Sequence, residues 1–157
     1  MNWYLLQTYG GKESEAEENL NRQGYSTYNP IISVEKIRKG KLDTREESAF
    51  RGYLFIELEP GVTNLEPIKF TKGVWSLVTF GENLARVPTK IIENLRTSLP
   101  KHIKHIPEKG DIIQIHSGPF KELQAVYIEP DGEKRAFVLL TLINRVQRVR
   151  IDNRQFM

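Results

Sequence analysis

The sequence predicts an α+β protein, an antiparallel sheet sandwiched by helices and followed by a small second unit. Three observations lead there. Between residues 2 and 81, four stretches rich in aromatic and branched residues ("NWYLLQTY", "YSTYNPIISVEKI", "AFRGYLFIEL" and "VWSLVTFG") are punctuated by glycine and proline, as strands are. Residues 12–23 and 88–100 instead carry apolar positions at helical spacing. Residues 101–110 hold lysines, a proline and a terminal glycine with little periodicity, which reads as a linker before the unit at 111–157.

Residues 2–9 alternate aromatic and aliphatic positions and form the first strand, which Gly10-Gly11 breaks. The helix over 12–23 has acids in its first turn, complementing the macrodipole. Ala16, Leu20 and Gln23 face inward, and Gly24 stops it. Extended structure resumes at Tyr25, and "KIRKGKLDTR", with five basic side chains against one acidic, turns back on itself at Gly40. The strand at 49–58 has Tyr53 and Phe55 at one parity, hence on one face. A strand at 74–81 follows, and then a helix bounded by prolines with Ile91, Ile92, Leu95 and Leu99 on one side. Residues 1–100 form one domain, and the unit at 111–157 is too small to bury much core alone. It must close into a small barrel or dock on the first domain.

That last unit can be read two ways. Ala136, Leu139, Leu140 and Ile143 fall at i, i+3, i+4, i+7, a helical template. Ala136, Val138, Leu140 and Leu142 also alternate with Arg135, Phe137, Leu139 and Thr141, a strand with one apolar face. Both readings agree only on the turn at Glu129-Pro130-Asp131-Gly132-Glu133.

Composition narrows the function. A chain of 157 residues, 39% hydrophobic and 27% charged, can build a packed core. With no cysteine there is no disulfide or thiol chemistry. The start lacks a basic n-region and a long apolar run, so a cytoplasmic protein with no membrane partner is expected. The charge is segregated: "ESEAEE" at 13–18 holds four acids, while 36–45 is basic and suits an anionic partner. His102 and His105 have metal-compatible spacing, but with only His116 besides and lysines around them a metal site is not expected. Glu46 and Glu47, adjacent on a strand, point to opposite faces and cannot pair for acid–base work. No nucleophile–base constellation or phosphate-cradling loop is present, so the chain is expected to be no enzyme and to need no cofactor. The aromatics Trp3, Tyr4, Tyr53, Phe55, Trp75 and Phe80 exceed what one face of a small sheet easily buries, and Tyr53 and Phe55 are the best candidates for a docking patch.

"GDIIQIHSGPF", with Gly118 at a tight turn, resembles a KOW segment. Together with "WYLLQTY", "EKIRKGK", "FRGYLFIEL", "TKGVWSLVTFG" and "VPTKIIENL", the chain resembles the NusG family of transcription elongation factors, and within it the specialised RfaH branch. The resemblance runs in order along nearly the whole chain. It implies that residues 1–100 are an NGN domain that binds the clamp helices of RNA polymerase through Phe50, Tyr53, Phe55 and Val74. It places Trp3, Asn19, Arg22, Gln23, Thr71 and Lys72 against the non-template single-stranded DNA of a paused complex, at an element called ops. Glu15 and Asn19 stand where RfaH proteins carry arginine and histidine, and Asn64-Leu65-Glu66 departs from the His-Thr-Thr of the polymerase gate-loop contact. It further implies that the monomer holds its C-terminal segment as an α-helical hairpin over the docking patch. On release that segment refolds into a five-stranded β-barrel, which recruits the ribosome through its small-subunit protein NusE. An ion pair between Glu47 and Arg135 then latches the closed form. Leu139, Leu142, Ile143 and Val146 follow Arg135 down one helix face, and Leu123 and Tyr127 lie on the other helix. Exchanging the two charges is expected to preserve the latch. Two rival functions stay open: a general NusG-type factor with a permanent barrel, and a KOW-type protein that binds RNA or the ribosome.

Overall fold

The computed structural model describes residues 1–62, 64–100, 102–103, 126 and 129–155. Strands β1 (Asn2–Thr8), β2 (Ser26–Tyr28), β5 (Tyr53–Leu58) and β6 (Val74–Leu77) line up in the order β2-β5-β1-β6, and β9 (Arg86–Val87) also pairs with β1. Every one of these pairings is antiparallel. Strands β3 (Ile31–Arg38) and β4 (Lys41–Ser48) form a long separate hairpin. Its two-residue turn has Lys39 at φ 53° and Gly40 at φ 76°, both in the left-handed region that matches strand twist. Short strands β7 (Thr79–Phe80) and β8 (Asn83–Leu84) pair with each other.

Alternation along the central strands makes two cores. Leu6, Leu54, Ile56 and Leu58 face helix α1 (Glu13–Arg22), whose Ala16 and Leu20 are fully buried against them. Leu5 and Phe55 face the other way, toward Ile91, Ile92 and Leu95 of helix α3 (Thr89–Ser98). The short helix α2 (Glu66–Lys69) plugs Ile68 into the first core. Gln23 is exposed rather than inward, because the helix ends at Arg22 and its last turn leaves the sheet.

Several expected boundaries move. The expected 74–81 strand divides at Val78 into β6 and β7. Ala49–Gly52 leave the expected 49–58 strand as a turn, with the Tyr53 amide donating to the Phe50 carbonyl at 3.0 Å and Gly52 at φ 86°. The Gly52 amide in turn donates to the buried Glu13 carboxylate at 2.6 Å, tying the start of α1 to this corner. Within the stretch read as linker, β10 (His102–Ile103) pairs parallel with β3. His102 Nε2 lies 2.9 Å from Glu35 Oε1, whereas His105 and His116 fall outside the described residues.

The C-terminal segment resolves its double periodicity in favour of the helix. Helix α4 runs Gly132–Gln155, and Asp131 accepts the Glu133 amide at 2.8 Å and the Lys134 amide at 3.4 Å at its start. Those backbone hydrogen bonds hold the Asp131 carboxyl below its ordinary range. Ala136, Leu139, Leu142 and Ile143 are buried, while Phe137, Thr141 and Arg145 face solvent. Val126, helical and fully buried, belongs to the same core; Leu123 and Tyr127 lie outside the described residues, and with them the first helix of the expected hairpin. No five-stranded barrel occurs among the described residues, nor does any helix long and apolar enough to cross a membrane.

Candidate functional site

The α4 face meets the first domain over an aromatic corner. Phe50 packs edge-on to Phe55 at 5.8 Å, and Phe55 stacks on Tyr28 at 5.8 Å. Ala136, Leu139, Leu142 and Ile143 complete that cluster, with Tyr53 and Val146 half-buried at its edge. The shared parity of Tyr53 and Phe55 therefore does put both on one face, and the turn at Ala49–Gly52 swings Phe50 beside them. Val74 is separated from them: it is buried with Leu6, Ala16 and Leu20 against α1, on the opposite side of the sheet.

At the rim of this contact the guanidinium of Arg135 is wholly buried, at 0% exposure. Its Nε donates to the Ala49 carbonyl at 2.6 Å, one terminal nitrogen donates to the Glu129 carbonyl, and the other reaches Glu47 Oε1 at 2.7 Å. Lys36 Nζ bonds the second oxygen of Glu47 at 2.8 Å. Burial pushes the Glu47 carboxyl up, but the hydrogen bonds and charges of Lys36 and Arg135 outweigh it and hold the group below the ordinary carboxylate range. The buried cation is thus matched by one carboxylate and two carbonyls, the condition for an ion pair to survive desolvation.

A second group of side chains gathers where α1 crosses the loop before β6. Asn19 Nδ2 donates to the Lys72 carbonyl at 3.1 Å, and Gln23 Nε2 donates to Thr71 Oγ1 at 2.7 Å. Gly73 sits at φ 98° so close to α1 that an added Cβ would lie 3.0 Å from the Ala16 nitrogen. Asn19, Gln23, Thr71 and Lys72 are brought together. Arg22, on the same helix, is exposed and paired with Glu18. Thr71 is buried, and its hydroxyl also donates to the Pro67 carbonyl at 2.7 Å, so it shapes the loop and presents nothing outward. Lys72 is the outward group, its side chain 83% exposed. Trp3 is not part of this group. Its strand parity turns it to the other face, where it is 7% exposed and Arg96 lies 5.5 Å above its ring.

The family model described as "Transcription termination factor nusG" matches residues 1–96. The chain belongs to the NusG family. It is 28% identical over 155 residues to the transcription termination/antitermination protein NusG of Helicobacter pylori strain 26695, covering 88% of this chain and 87% of that one. It is 24% identical over 147 residues to the NusG of Neisseria meningitidis serogroup B, covering 84% and 83%. A solved structure titled "Domain interaction in Thermotoga maritima NusG" is 22% identical with a TM-score of 0.39, covering 74% of this chain and 66% of that one.

Within this NusG-family chain, three participants were not legible as site residues. Lys36 joins Glu47 because Ile32, paired with Glu47, and Lys36 lie four apart on one face of the same strand. The Ala49 carbonyl and the buried Glu13 act through backbone geometry, for which side-chain patterning carries no signal.

Proposed function

We propose that this NusG-family protein is a transcription elongation and antitermination factor of the RfaH type, closed in its free form by its own C-terminal segment. Residues 1–100 act as the NGN domain, 101–110 as linker and 111–157 as a KOW-like domain that switches fold. Phe50, Tyr53 and Phe55 are the surface for the polymerase clamp helices, and Val74, on the other face, is left out of it. The observation that carries this reading is the buried contact of Arg135, Leu139, Leu142 and Ile143 with that same aromatic corner. A surface capped in this way is available to a partner only after release, so a recruiting signal must favour the open form. Non-template single-stranded DNA, met by Asn19, Arg22, Gln23 and Lys72, supplies that signal. The freed segment, as a barrel, engages NusE on the ribosome. The test is recruitment to a paused elongation complex: the intact chain requires the DNA element, and a chain cut in the linker does not. Equal recruitment of both would support the second reading, a general NusG-type elongation factor with a permanent barrel.

Two further outcomes follow from the geometry. Lys72→Ala lowers recruitment at the preferred element more than at unrelated sequences, measured by footprinting on templates with varied non-template strands. Equal loss everywhere would reduce Lys72 to a phosphate contact. The latch also responds to acid. Glu47 is held below its ordinary 4.5 in the closed form, so its contribution is complete above that value and lost as pH falls through the depressed one. Around neutrality the latch is insensitive to pH. Below about pH 4.5 the open fraction seen by NMR rises in the parent but not in Glu47→Gln, and parallel acid responses in both would remove Glu47 from the switch.

A further inference from the structure

Beside Lys72 three aromatic side chains stand in solvent. Phe70 is 84% exposed, Trp75 59% and Tyr9 50%. Trp75 lies on the edge strand β6 and meets Tyr9 edge-on, with ring centroids 5.0 Å apart and planes at 67°. The Tyr9 amide donates to the Gly73 carbonyl at 3.1 Å, which anchors this pair to the loop that Asn19 and Gln23 hold from the other side. In sequence the group reads Lys69-Phe70-Thr71-Lys72-Gly73-Val74-Trp75, cations and aromatics interleaved around a turn. The cations are partly spent. Glu15 lies 3.6 Å from Lys72 and 3.9 Å from Lys12, and Glu18 holds Arg22. Open space lies over Gly10 and Gly11, where an added Cβ would meet nothing within 4 Å.

Resting on the reading of this face as the one that meets the displaced strand, we propose that Trp75, Tyr9 and Phe70 are a stacking platform for its unpaired bases. Exposed rings beside a few half-neutralised cations fit a single strand gripped by its base faces, with phosphate contact secondary. The core of a protein interface is depleted in lysine, whereas Lys12, Lys69 and Lys72 flank the rings here. The platform is also outside the surface that α4 covers, so it is usable in the closed form.

The test uses the full-length protein and a short labelled oligothymidine. Trp3 is buried, so quenching of tryptophan emission on adding the oligonucleotide reports Trp75. Trp75→Ala weakens binding about tenfold, and Phe70→Ala several-fold, the loss expected for one stacked base. Trp75→Phe, which keeps a ring, stays within about threefold of the parent. The salt slope is shallow, corresponding to only about one or two phosphates. If Trp75→Ala and Phe70→Ala bind as the parent while Lys72→Ala and Arg22→Ala lose the strand, the platform is wrong and the strand reading stands. If the parent neither binds the oligonucleotide nor crosslinks to the non-template strand in a paused complex, both fall. If Trp75→Ala weakens binding of the chain cut within residues 101–110 to polymerase free of DNA, the face is a protein contact and the platform is refuted.

Discussion

A Glu47→Ala protein opens in part. Removing the carboxylate leaves the guanidinium of Arg135 at 0% exposure with only the Ala49 and Glu129 carbonyls to accept from it. Breaking a buried pair from one side costs about 3–5 kcal/mol. Inverting a two-state population from mostly one form to mostly the other takes about 5.5 kcal/mol. The expected result is a mixture: helical and strand-like NMR signals together for residues 132–146, and partial recruitment to polymerase without the DNA element. An unchanged all-helical spectrum would mean that the Glu47–Arg135 pair does not hold the closed form. The exchange Glu47→Arg with Arg135→Glu restores less than charge counting suggests. A carboxylate at 135 cannot donate to the two carbonyls, and an arginine at 47 faces Lys36, which now bonds Glu47 at 2.8 Å.

Ile143→Asp has the larger effect. Ile143 is fully buried in the cluster that holds Phe50, Phe55 and Leu139. A carboxylate there has no partner, and burying one unpaired costs several kcal/mol beyond the lost apolar contact of about 2 kcal/mol. The C-terminal segment leaves the patch, and polymerase binding loses its dependence on the DNA element. Binding that stayed element-dependent would mean that this helix face does not hold the closed form. The first domain keeps its fold in either case, because its two cores draw on α1, α3 and the sheet.

The residues differ in how much of this could be read in advance. The parity of Tyr53 and Phe55, the turn at Gly40, and Ala16 and Leu20 on α1 with Ile91, Ile92 and Leu95 on α3 are local patterns, and each appears in the fold where patterning put it. Residues 136–143 satisfy both a helical and a strand pattern, and in the fold they are helical and packed against the core that holds Phe50 and Phe55. Trp3 and Val74 lie apart from the groups in which the resemblance placed them. Resemblance carries position along the chain, whereas the face a residue presents follows strand parity, shifted for Val74 by the bulge between Gln7 and Thr8. The carbonyls that satisfy Arg135 left no trace in side-chain pattern at all.

In the proposed switch one segment is helical while it covers the docking patch and becomes a barrel when freed. Two packings of one sequence can share a chain only if they lie within a few kcal/mol of each other. The direct measurement is backbone NMR on residues 132–146 in the full-length chain, repeated after a protease cut engineered within residues 101–110. Helical carbon shifts are expected before the cut. Strand shifts are expected afterwards, with newly exposed signals at Phe50 and Tyr53. Helical shifts both before and after, or strand shifts both before and after, would contradict it.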